Sequence, residues 1–140
     1  MVDLGRLRSL LDRIGSELQH LDRIAQGEAV PLLDDPDLVA AVKYRFIVAI
    51  EASIDCCHHV IASEGLRGAT DFADAFVVLG EADMLPAALV PRLQDMARFR
   101  NLLVHGYARV DDRRVVDILQ TRLVDLREFR SALATSIQDG

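Results

Sequence analysis

Apolar residues recur along the start of the chain at steps of three and four. Leu4, Leu7, Leu10, Leu11, Ile14, Leu18, Leu21 and Ile24 lie along one stripe of a helix over about residues 3–26, which Gly27 and Pro31 then end. After the loop GEAVPLLDDP, Asp35 is placed to cap a second helix with Pro36 at its first position, and Gly65 to stop it after Glu64. At about 28 residues and roughly 42 Å, this helix is long enough to be the spine of a bundle. GLRGAT reads as a loop, followed by a shorter helix over about 71–79 that stops at Gly80. Pro86 can open the next segment, and Pro91 marks a kink or restart before a helix that reaches His105 and ends at Gly106. Val115, Val116, Leu119, Leu123, Leu126, Phe129 and Leu133 line a last helix over about 112–137. Long helices joined by short loops predict an all-α, antiparallel up-and-down bundle of four to five helices.

Composition agrees. Apolar residues make up 51% of the chain but aromatics only 5%, with no Trp, so Leu, Val, Ile and Ala must do the packing, which favours helices. The 140 residues form one domain by length, 1–140. FIVAI, residues 46–50, is as long as any uninterrupted apolar stretch in the chain and far short of the roughly 18–20 residues a bilayer span needs. No charged start leads into an apolar stretch with a small-residue cleavage site. A soluble cytoplasmic protein with no membrane partner is expected. Cys56 and Cys57 are adjacent, which disfavours a disulfide between them and suits a reducing compartment.

The formal net charge of −6 argues against bulk nucleic-acid binding, but its distribution is uneven. Between Arg92 and Arg114, six arginines face three acids, so that this segment is +3 and the remainder −9. All the basic residues but Lys43 are arginine, whose fork matches phosphate.

Candidate chemistry concentrates in RNLLVHGY, residues 100–107. With Met96 as origin and about 100° per residue, Leu89, Leu93, Phe99 and Leu103 fall within about 60°, and so does Arg100. A lone guanidinium in an apolar stripe is expensive, so Arg100 must be paired, or must face a ligand or a second subunit. The long helix offers Glu51 and Asp55 as partners, in one polar stripe with His58. A structural ion pair would satisfy Arg100 equally well. His105 diverges from Arg100 by about 140° on an ideal helix but follows Asn101 by four residues, so the Asn101 amide can reach the imidazole. For an isolated histidine at a helix end, a cap or dipole contact is the plain alternative.

CCHH, residues 56–59, suggests zinc at first sight, but adjacent helical residues diverge by about 100°, and only Cys56 and His59 have the spacing of a metal pair. No metal site and no cofactor is expected. The chain has no Gly-rich phosphate loop, no G-x-S-x-G and no acidic metal cluster. Chemistry carried by Arg and His suits RNA cleavage, where the 2′-OH is an internal nucleophile, His105 exchanges protons and Arg100 holds the phosphate.

Arg100, four residues, His105, Gly106 and Tyr107 spell R-x4-H-x-Y, which resembles the signature of HepT toxins of the HEPN superfamily. AIEASIDCCHHVIASEG, DFADAFVVLGEADMLP and RLQDMARFRNLLVHGYARVD are similar to the family over about residues 40–115. The resemblance implies a homodimeric helical bundle with both motifs in a shared cleft, which eases the divergence of Arg100 from His105. It implies a metal-independent endoribonuclease toxin with Arg100 and His105 catalytic and Asn101 supporting. It also implies an MntA-like minimal nucleotidyltransferase antitoxin that adds AMP to Tyr107. If the helix continued, Tyr107 would fall within about 20° of Arg100, so the added phosphate would occupy the place RNA needs.

Two other classes are open at this level. One is a non-catalytic helical module that binds nucleotide or assists a partner nucleotidyltransferase, which a degraded motif would have favoured. The other is a dimeric interaction protein with Arg100 as a structural pair.

Overall fold

The computed structural model describes residues 2–106 and 109–139, which form seven α-helices and, among the described residues, no strand. They are α1 (Leu4–Ala25), α2 (Ala29–Leu33), α3 (Pro36–Glu64), α4 (Phe72–Glu81), α5 (Val90–His105), α6 (Asp112–Thr121) and α7 (Leu123–Asp139). The all-α bundle expected from the periodicity is the fold observed. Helix α3 is its axis and packs against all six other helices.

Local chemistry sets most of the ends. The Asp3 carboxylate accepts from the Arg6 N–H at 3.0 Å to open α1. Asp35 does the same for Leu38 at 3.1 Å, with Pro36 in the first turn of α3. Gly65 closes α3 at φ 63°, in the left-handed region where a side chain would be strained. Pro91 falls at the start of α5, so it restarts the chain in a helix and kinks nothing.

Three elements depart from the sequence reading. GEAVPLLDDP contains the five-residue α2, which tucks Leu32 into the core. Gly80 lies inside α4 and does not stop it: a Cβ there would come within 2.7 Å of Val90 Cγ2, so the glycine lets α4 approach α5. The last helix is two, broken at Arg122. There the Thr121 hydroxyl donates to the Asp117 carbonyl at 2.7 Å, and the Asp125 N–H closes a tight turn onto the Arg122 carbonyl at 3.1 Å. Asp125 itself is buried, held by Arg92 at 2.9 Å and Arg122 at 2.6 Å.

The core contains the apolar stripes of every long helix and two edge-to-face ring pairs, Phe46 with Phe99 at 5.3 Å and Phe76 with Phe129 at 5.5 Å. By length and composition α3 could cross a membrane, but more than half of that stretch is buried inside the bundle. Lys43, on α3, turns its ammonium to Asp112 at the head of α6, 2.9 Å away.

Candidate active site at the end of α5

Arg100 lies one turn from the C-terminus of α5, on the side that faces α3 and α4. Its side chain is only 14% exposed, whereas that of Glu51, across on α3, is 42% exposed. Arg100 Nη2 donates to Glu51 Oε1 at 2.9 Å and Nη1 to Asn101 Oδ1 at 3.1 Å. The guanidinium carbon stands 5.0 Å from the ring centroid of Phe72, the first residue of α4. Arg100 Nε is buried and has no hydrogen-bond partner among the described residues. The arginine is therefore held in place, with two of its five N–H groups engaged by these bonds.

Of the two candidate partners, Glu51 makes the ion pair. Asp55 is exposed and makes none with Arg100. Asn101 spends its side-chain oxygen on Arg100 and not on His105, which is exposed and makes no hydrogen bond with a described residue. Arg100 and His105 nevertheless line one shallow pocket of about 290 Å³, together with Asp71, Phe72 and Asn101. Reach resolves the helical divergence here, because both side chains lean toward the gap between the end of α5 and the head of α4. Gly106 ends α5 where a Cβ would press on the Leu102 carbonyl at 3.0 Å, and its own N–H bonds that carbonyl at 2.8 Å. Tyr107 lies outside the described residues.

Asp71 and Phe72 are not apparent as site residues from the sequence. In DFADAF the two phenylalanines are four residues apart and read as one core face, yet Phe76 is buried and Phe72 is 36% exposed. Asp71 caps α4 through the Asp74 N–H at 2.7 Å. Arg67 then clamps the preceding loop to α4, gripping Asp74 at 2.8 and 3.0 Å and Glu81 through two bonds of 2.9 Å. The guanidinium holds the Asp74 and Glu81 carboxyls below the usual carboxylate range, while the carboxylates raise Arg67 in turn.

The CCHH stretch does not converge on a point. Cys56 and Cys57 face the core, where burial, reinforced for Cys56 by Asp55, pushes the Cys56 thiol up to about 12 and Cys57 well above its ordinary value. His58 turns toward the Phe72 ring, with centroids 6.0 Å apart. His59 Nε2 accepts the Asp3 N–H at 3.1 Å, tying α1 to α3. Among the described residues no three His, Cys, Asp or Glu side chains gather in a group able to hold a metal ion.

The basic segment is partly neutralised. Arg92 pairs with Asp125 and Glu128, Arg98 with Asp95 and Arg100 with Glu51. Arg109, Arg113 and Arg114 are exposed and form no ion pair with a described residue. A larger groove between α1 and α7 contains two arginines, but Arg127 is spent on Asp22 and Arg130 on the Leu11 carbonyl.

A family model described as Ribonuclease HepT-like matches residues 14–133, which include α3, α4, α5 and the pocket between α4 and α5. The chain belongs to this Ribonuclease HepT-like family. The HepT-like chain is 25% identical over 122 residues to the mRNA nuclease HepT of Shewanella oneidensis, covering 86% of this chain and 92% of that protein. Its fold superposes on tri-AMPylated Shewanella oneidensis HEPN toxin in complex with MNT antitoxin with a TM-score of 0.85, at 22% identity over 96% of this chain and 99% of that one. A cytosolic protein of unknown function, YutE from Bacillus subtilis, superposes with a TM-score of 0.87 at 16% identity, covering 99% and 92% of the two chains.

Proposed function

We propose that this HepT-like chain is a metal-independent endoribonuclease toxin that acts in the cytoplasm as a homodimer and is neutralised by an MntA-like nucleotidyltransferase. The observation that carries this reading is Arg100: a guanidinium held by Glu51, Asn101 and Phe72 in one pocket with His105. Each Nη of that guanidinium makes one of these bonds and keeps a second N–H, the kind of donor a phosphate oxygen accepts from.

In the reaction, His105 takes the proton of the RNA 2′-OH as its oxygen attacks the adjacent phosphorus. Arg100 stabilises the charge that gathers on the phosphoryl oxygens. The bond from phosphorus to the 5′ oxygen breaks, and that oxygen takes a proton from an imidazolium, which a second copy of His105 across the dimer supplies. The products are a 2′,3′-cyclic phosphate and a 5′-OH. Asn101 supports the step by fixing Arg100 through Oδ1. RNA approaches over Arg109, Arg113 and Arg114.

Neutralisation works by AMP addition at Tyr107, the last residue of the R-x4-H-x-Y motif, which adds a phosphate that competes with RNA. The relative solved as a tri-AMPylated toxin with an MNT antitoxin supports this part of the reading. Mass spectrometry of the cleavage ends tests the chemistry: cyclic phosphates agree with it, and 3′-OH ends oppose it. Incubation with the nucleotidyltransferase and ATP should add AMP to the wild type but not to Tyr107→Phe, with cleavage lost in step.

A further inference from the structure

The pocket that holds Arg100 and His105 also has a partly exposed phenylalanine in its wall. Phe72 leaves 36% of its surface open, while its helix-mate Phe76 is fully buried. Its position is imposed: Asp71 caps the first turn of α4, and Arg67 pins the loop just before it. The ring lies between the Arg100 guanidinium at 5.0 Å and the His58 ring at 6.0 Å, and shares the pocket with Asn101 and His105. The polar atoms of Arg100 are turned toward Glu51 and Asn101, so carbon dominates the exposed wall.

The guanidinium suits a phosphate, and the carbon-rich remainder of the wall suits a planar base. Base stacking on an exposed aromatic is worth about 1–3 kcal/mol and tolerates any base. The base reaches that ring only if it is unstacked, which is how unpaired RNA is generally read.

We propose that Phe72 is the nucleobase platform of this site: the base next to the phosphate on Arg100 stacks on the open part of its ring, which selects unpaired RNA. The inference rests on the ribonuclease reading for its ligand but not on cleavage itself. The test therefore uses short 2′-O-methyl strands, which lack the attacking hydroxyl, with binding followed by fluorescence anisotropy. An abasic residue is moved along the strand one position at a time. Wild type and Phe72→Leu, which keeps an apolar side chain and loses the aromatic face, are compared on every strand.

Phe72→Leu should bind the intact strand at least about fivefold more weakly. At one position the abasic strand should weaken wild-type binding similarly and weaken Phe72→Leu no further, because ring and base are then one interaction. Additive losses would overturn the proposal and leave the ring as a support for Arg100. Equal binding by both proteins would overturn it as well, as would dissociation of a wild-type dimer by Phe72→Leu, which would make the ring an interface residue. A wild type that shows the coupling yet never cleaves ordinary RNA would keep the platform and refute the nuclease. A wild type that binds no strand would refute both.

Discussion

Arg100 is one half of an ion pair whose other half stands largely in water. Glu51 can be rehydrated when its partner is removed, so Arg100→Ala should cost no more than about 1 kcal/mol, or about 2–4 °C in melting temperature. Its loss should nonetheless abolish RNA cleavage, because no neighbouring guanidinium replaces it in the pocket. Calorimetry beside an activity assay checks both; a variant that unfolds would return Arg100 to a structural role. Cys56 and Cys57 pose a simpler case. With Cys56 pushed up to about 12 and Cys57 also raised, neither supplies much thiolate at pH 8, and both are buried. Ellman's reagent should therefore leave the native protein unlabelled and modify both thiols only at the rate of unfolding. Fast labelling of either would show that α3 is less tightly covered than its packing implies.

The head of α4 matters to the site because Arg67 pins it. Arg67 depresses the Asp74 and Glu81 carboxyls, so the clamp stabilises the fold fully above the ordinary carboxylate range near pH 4, and the contribution is lost as pH falls below it. Melting temperatures of wild type and Arg67→Ala should accordingly differ at pH 7 and converge as the pH is lowered below about 4, while hydrogen exchange at residues 66–72 should rise in the variant at pH 7. A difference that does not depend on pH would sink this account. Elements whose ends are fixed by neighbouring residues are legible in the sequence: Asp35, Pro36 and Gly65 bound α3 by local chemistry. The break at Arg122 is not, because Leu119, Leu123 and Leu126 continue the apolar stripe straight across it. The site divides in the same way. Helical spacing reveals that Arg100 is misplaced among apolar residues, but it leaves Glu51 and Asp55 equivalent, and only packing selects Glu51. Phe72 is hidden because a ring at helical spacing from Phe76 looks like core until α4 is docked.

For the whole molecule, an acidic protein must present RNA with a local basic path. On the proposed reading Arg109, Arg113 and Arg114 supply it, since Arg92, Arg98 and Arg100 already have carboxylate partners. With about three phosphates neutralised on a single strand, the logarithm of affinity should fall with that of salt at a slope of about −2, so threefold more salt weakens binding about tenfold. Arg113→Glu should flatten that slope, as anisotropy titrations would show. The central claim is that this bundle cuts RNA with Arg100 and His105 and needs no metal. Its most direct test is cleavage of labelled RNA in excess EDTA by wild type and by His105→Ala, purified identically and checked for an unmodified Tyr107. The account predicts cleavage that falls by about 10²–10⁴-fold in the variant, with melting unchanged because His105 is exposed. Equal cleavage by both proteins, or none by a folded wild type, would contradict it.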